Sequence, residues 1–109
     1  MSAKFLRLSD KETWERLLID SREHPVLVFK HSNSCGISSR AYQEMEQLDG
    51  VNLLEVQTAR ELSREIESTT GVEHETPQVI VIRNGKAVWN ASHSNVKAGA
   101  VTDALRAND

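Results

Sequence analysis

The sequence predicts an α/β fold, with residues 1–109 as a single domain: a mixed central sheet of four to five strands, helices on both faces, and a C-terminal β-hairpin followed by a helix. Three observations predict it. Apolar runs of strand length alternate with segments whose apolar residues recur every three or four positions. Pro77 stands at the head of the later run Gln78-Val79-Ile80-Val81-Ile82, where a proline leaves the strand intact. Asn84-Gly85 then separates two strand-like runs, the strongest short-range signal for a hairpin.

Phe5-Leu6-Arg7-Leu8 is a short first strand. Ser9 with Glu12 makes a capping-box pattern, and Trp14, Leu17 and Leu18 share one face of a first helix from about Asp10 to Arg22. Val26 to Phe29 is unbroken, apolar and rich in β-branched residues, which predicts a central strand covered on both faces, parallel to its neighbours. Ile37, Ala41, Met45 and Leu48 line one side of a second helix that Asp49-Gly50 closes. Val51 to Gln57 is the next strand. Thr58 with Glu61 repeats the capping-box pattern, and Ala59, Leu62 and Ile66 give the buried side of a helix ending before Gly71. Gln78 to Ile82 and Lys86 to Ala91 form the hairpin, and a closing helix spans about Asn95 to Arg106.

Composition narrows the function. Hydrophobic residues make up 39% and charged residues 27%, so the chain can fold without a partner. A net charge of -3 with dispersed Lys and Arg argues against nucleic acid. No apolar run is long enough to span a membrane, and Met1-Ser2-Ala3-Lys4-Phe5 lacks the apolar core of a secretory signal, so a cytoplasmic protein is expected. His24, His31, His74 and His93 show no metal-ligand spacing, and one cysteine excludes a zinc site built from several thiolates.

That cysteine, Cys35, falls between the central strand and the second helix. A thiol at the first turn of a helix meets unpaired backbone N–H groups and the positive end of the dipole, both of which favour the thiolate. Ser32, Asn33 and Ser34 before it suggest a solvent-facing loop. The order of elements, a nucleophilic thiol at a strand-to-helix junction and a proline heading the later hairpin, is that of the thioredoxin fold. In that order Pro77 is expected to be cis, leaving Thr76 free to pair with an extended substrate. Ser38 stands where a dithiol enzyme carries its resolving cysteine. It either donates its hydroxyl to the Cys35 sulfur or is an ordinary helix serine. With no second thiol, a mixed disulfide on Cys35 must be resolved from outside. His31 and His93 either approach the thiolate or a bound small thiol, or are bystanders. Lys30 and Arg40 are surface charges that could attract a ligand's carboxylates, and Trp89 is assigned to packing.

Phe29-Lys30-His31-Ser32-Asn33-Ser34-Cys35-Gly36-Ile37-Ser38, His74-Glu75-Thr76-Pro77-Gln78 and the segment Asn84 to His93 together resemble the YtxJ-type monothiol bacilliredoxins, over nearly the whole chain. The resemblance implies a bacterial, cytoplasmic thioredoxin-fold enzyme that removes bacillithiol from mixed disulfides on other proteins. It implies Cys35 and Ser38 as catalytic residues, with His31, Ser34, Gly36, Thr76, Pro77 and His93 around the thiol. It implies no bound cofactor, bacillithiol as co-substrate, S-thiolated proteins as partners and a monomer. Gly36 replaces the family's usual proline. Cys35-Gly36-Ile37-Ser38 is therefore one residue from the Cys-Gly-Phe-Ser of monothiol glutaredoxins, which carry iron–sulfur clusters. Against that alternative, Ala91-Ser92-His93-Ser94 stands where glutaredoxins have a Gly-Gly pair. A thioredoxin-like binding module without activity is the third reading, and predicts an ordinary thiol at Cys35.

Overall fold

The computed structural model describes residues 5–32 and 36–109, residues 36–38 by backbone alone. In chain order the elements are β1 (Phe5–Arg7), α1 (Lys11–Asp20), β2 (Val26–His31), α2 (Gly36–Met45), β3 (Val51–Glu55), α3 (Arg60–Thr70), β4 (Gln78–Arg83), β5 (Lys86–Ser92), a 3₁₀ turn at His93–Asn95, and α4 (Ala98–Ala107). The sheet order is β1-β3-β2-β4-β5. β1 and β2 each pair with β3 in parallel, whereas β4 runs antiparallel to both β2 and β5. The central strand is thus parallel on one side only, a correction to the sequence expectation: the segment after α3 returns the chain to the edge where β2 ends, so that β4 starts with Gln78 opposite Lys30 and runs back along β2.

β2 is buried at all six positions, so its alternate side chains serve two different layers. Val26 and Val28 join Ile80, Ile82, Trp14, Leu62 and Ile66 on the face covered by α1 and α3. Leu27 and Phe29 join Val79, Val81, Met45 and Val101 on the face covered by α2 and α4. Each such side chain, fully buried, contributes about 1.5–3 kcal/mol.

The turns obey their local chemistry. Asn84 (φ 56°) and Gly85 (φ 74°) both occupy the left-handed region, as a two-residue hairpin turn requires. α3 closes on Gly71 (φ 73°), whose N–H donates to the Glu67 carbonyl at 2.9 Å. Arg83, at the end of β4, donates to the carbonyls of Ser21 (2.9 Å), Arg22 (2.7 Å) and Asn108 (3.0 Å), fastening the hairpin to the end of α1 and to the C-terminal segment.

Both capping boxes fail. Asp10, not Ser9, caps α1, its carboxylate accepting from the Thr13 N–H at 2.7 Å. Ala59 is the residue before α3 and offers no side-chain cap, because the Thr58 hydroxyl donates to the Glu55 carbonyl instead. β2 runs two residues beyond Phe29, and β3 stops at Glu55. Among the described residues no helix is long and apolar enough to cross a membrane.

Candidate active site

Parallel pairing brings the C-terminal ends of β2 and β3 to one edge of the sheet, and antiparallel pairing brings the start of β4 to the same edge, with Lys30 opposite Gln78. The end of β2 therefore lies beside the start of β4, which follows Thr76–Pro77, whose peptide bond is cis. The Pro77 carbonyl accepts from the His93 N–H at 2.8 Å, which ties the turn after β5 to the same place. Cys35 and Ser34 lie outside the described residues; Ser32 on one side and Gly36, the first residue of α2, on the other flank them in sequence.

The last two residues of β2 enter opposite layers. His31 packs on the α2 side between Phe29 and Tyr42, with ring centroids 5.6 and 5.1 Å away. Burial holds its pKa below the ordinary 6.5, only partly offset by the Glu55 carboxylate. The ring is neutral at neutral pH, and among the described residues its Nδ1 has no hydrogen-bond partner.

Lys30 enters the α3 side and is completely buried. Its ammonium lies 3.3 Å from His74 Nδ1, which also faces the Ser63 hydroxyl at 3.0 Å. Burial brings the pKa of Lys30 down to about 8, against the pull of Glu67 in the other direction. His74 is likewise held below 6.5, by burial first and then by the Lys30 charge. The Glu67 carboxylate accepts from the His74 backbone N–H at 2.7 Å. Gln78, opposite Lys30, donates to the Glu73 carbonyl (2.9 Å) and the Ser92 hydroxyl (3.2 Å). These side chains form a polar layer over the end of the α1/α3 core. Above it opens a cleft of about 490 Å³, lined by residues that include Ser32, Arg60, Ser63, Arg64, Glu67 and His74.

A solved structure assigned as a candidate oxidoreductase with a thioredoxin fold aligns at TM-score 0.81, with 33% identity over 93% of this chain and 93% of that one. Thioredoxins from Schistosoma mansoni (a reduced pre-protein; TM-score 0.70, 19% identity, 98% of this chain and 100% of that chain) and Fasciola hepatica (0.74, 16%, 94% and 98%) share the fold. The family model described as monothiol bacilliredoxin BrxC matches residues 6–101. The chain belongs to the monothiol bacilliredoxin family. It is a thiol–disulfide oxidoreductase of thioredoxin fold, as the order of its elements predicts.

In this bacilliredoxin the structure brings Thr76, Pro77, His93 and the end of β2 to one edge of the sheet. Ser38 lies in the first turn of α2, and Gly36 opens that helix. His93 is exposed, with φ at 57°, and its Nε2 lies 2.6 Å from the Glu75 carboxylate. Arg40 is exposed on α2, and Trp89 packs partly buried against the α2/α4 layer. Lys30 corrects the sequence reading most: it is no surface charge but the most deeply buried cation of the described residues. Alternation would have found it. Once Val26 and Val28 face the α3 layer, so must the residue two positions on, provided the strand continues past Phe29. His74, Ser63, Arg60 and Arg64 were not singled out by sequence, because their meeting depends on how α3 packs on the sheet. Among the described residues, no group of three or more His, Cys, Asp or Glu side chains could hold a metal ion.

Proposed function

We propose that this enzyme removes bacillithiol from mixed disulfides on other proteins, with Cys35 as the nucleophile. One observation supports the reading: the end of β2 and the start of β4, which Thr76 and Pro77 precede, lie at one edge of the sheet, and in sequence the chain's single cysteine falls between that end of β2 and the first residue of α2. There the Cys35 thiolate attacks the small thiol's sulfur in the mixed disulfide. A new S–S bond joins Cys35 to that thiol, the old S–S bond breaks, and the protein thiolate leaves and takes a proton from solvent. With one cysteine in the chain, the second step belongs to an external small thiol. Its thiolate attacks the same sulfur, releases a symmetric small-molecule disulfide and frees Cys35. Thr76 offers backbone groups to the extended protein substrate.

The test is a single carrier protein loaded in turn with bacillithiol, glutathione or coenzyme A as a mixed disulfide. Release of the carrier's thiol should be fastest from the bacillithiol adduct. Mass spectrometry should find that thiol on Cys35, and Cys35→Ala should abolish both. Preference for another adduct reassigns the small thiol. A stable brown dimer formed anaerobically with iron, sulfide and glutathione would replace exchange with cluster carriage.

A further inference from the structure

The cleft above the polar layer is positively charged in a chain whose formal net charge is -3. Arg60 and Arg64 are one helical turn apart on α3, and both line it. Neither has an ion-pair partner among the described residues, and the nearby Glu65 is directed to Lys11 at 3.7 Å. The carboxylate in the lining, Glu67, is engaged by the His74 N–H. Beneath lies the Lys30 ammonium, wholly buried, with the ring nitrogen of His74 as its hydrogen-bond partner; the Glu67 carboxylate acts on it from a distance, and among the described residues no carboxylate is in ion-pair contact with it. A buried cation with no carboxylate in direct contact is costly, and an anion in the cleft would lower that cost. The first turn of α3 adds backbone N–H groups that no side chain caps.

We propose that this cleft receives the anionic end of the small thiol during exchange, its carboxylate or phosphate groups meeting the guanidinium groups of Arg60 and Arg64 above the buried ammonium of Lys30. The inference rests on the exchange reading and names what that reading leaves open: why a small thiol is recognised rather than any disulfide. Ser32, which lines the cleft, is three residues before Cys35, and His74 is two residues before Thr76. A thiol held by its sulfur at the β2–α2 junction can therefore extend over α3. Two guanidiniums suit a pair of carboxylates or a phosphate better than lysines would, because each offers a planar pair of donors. Anion binding would also pull the pKa of Lys30 back up from about 8.

The full-length enzyme and its Arg60→Gln/Arg64→Gln variant are compared on one carrier protein bearing bacillithiol, glutathione, coenzyme A or uncharged 2-mercaptoethanol as mixed disulfides. The kcat/KM ratio of each anionic adduct to the 2-mercaptoethanol adduct should fall about tenfold or more in the variant. The larger fall, on the carboxylate thiols or on coenzyme A, identifies the anion. An unchanged ratio overturns the proposal even with exchange intact. Independently of exchange, L-malate and inorganic phosphate are titrated into full-length Cys35→Ala protein while the Arg60 and Arg64 Nε–Hε NMR signals are followed. Saturable shifts from at least one anion, lost in the added double substitution, support the site whatever thiol is transferred. Their absence with both anions refutes it.

Discussion

Replacing Lys30 with methionine isolates the cost of holding an ammonium inside the fold. Its pKa falls from the ordinary 10.5 to about 8, chiefly through burial, a difference equivalent to about 3 kcal/mol. The sign follows from proton binding. Below pH 8 the folded and unfolded chains both carry the proton, and the cost is fully present. Between about 8 and 10.5 the unfolded chain binds more protons than the folded one, so folding becomes more favourable as pH rises. Lys30→Met keeps most of the side-chain length and removes the charge, at the loss of the hydrogen bond to His74, worth about 1 kcal/mol. The net expectation at pH 7 is a gain of about 2 kcal/mol, on the order of 10 °C in Tm for a domain of this size. Urea unfolding of both proteins at pH 7, 8, 9 and 10 is the assay. The advantage of the variant should shrink above pH 8 and vanish by about pH 10 as the wild type gains. Parallel pH profiles would show that the ammonium is solvated, and would refute the reasoning.

Asp10→Ala should lower the urea midpoint while Ser9→Ala leaves it in place, because the Asp10 carboxylate accepts the Thr13 N–H; the reverse order would restore the capping box. Arg83→Met leaves the Arg22 and Asn108 carbonyls without a donor and the Ser21 carbonyl with the Asn84 N–H alone, and should cost about 2 kcal/mol by the same measurement, with amide exchange quickening at Ser21 and Asn84. His31 should titrate by NMR below 6.5. As pH falls through that value the unfolded chain takes up the proton before the folded one, so stability drops, and His31→Phe should remove that part of the acid sensitivity. A His31 midpoint above 6.5 would place the ring in water.

The elements that sequence placed well are those whose causes are local or repeat along the chain. Asn84-Gly85 adopts the backbone its residues favour, and Gly71 ends α3 for the same reason. The continuous apolar runs became β2 and β4, because strands covered on both faces need apolar side chains in both directions. Competition between neighbours was not legible. Ser9 and Asp10 can each cap a helix, and the choice depends on where Leu8 is buried, at 1% exposure, as the chain turns into α1. The Thr58 hydroxyl could accept from the first turn of α3 or donate to the Glu55 carbonyl, and it donates. The cleft was invisible for a different reason. Lys30, Ser63 and His74 are separated by 33 and 11 residues, and their contact follows from the crossing of α3 over the sheet.

The alternation of β2 carries a further consequence, one of parity. Lys30 and His31 differ by one position, and that difference alone sends an ammonium toward α3 and an imidazole toward α2. Inserting or deleting a single residue between Val26 and Phe29 would exchange the two, placing the charge beside Tyr42 and the ring, with Phe29, under the cleft. An even-numbered change would preserve the assignment and alter only the reach of the strand. Length variation in this segment is therefore counted in pairs, and an odd step would cost the enzyme both of its layers at once.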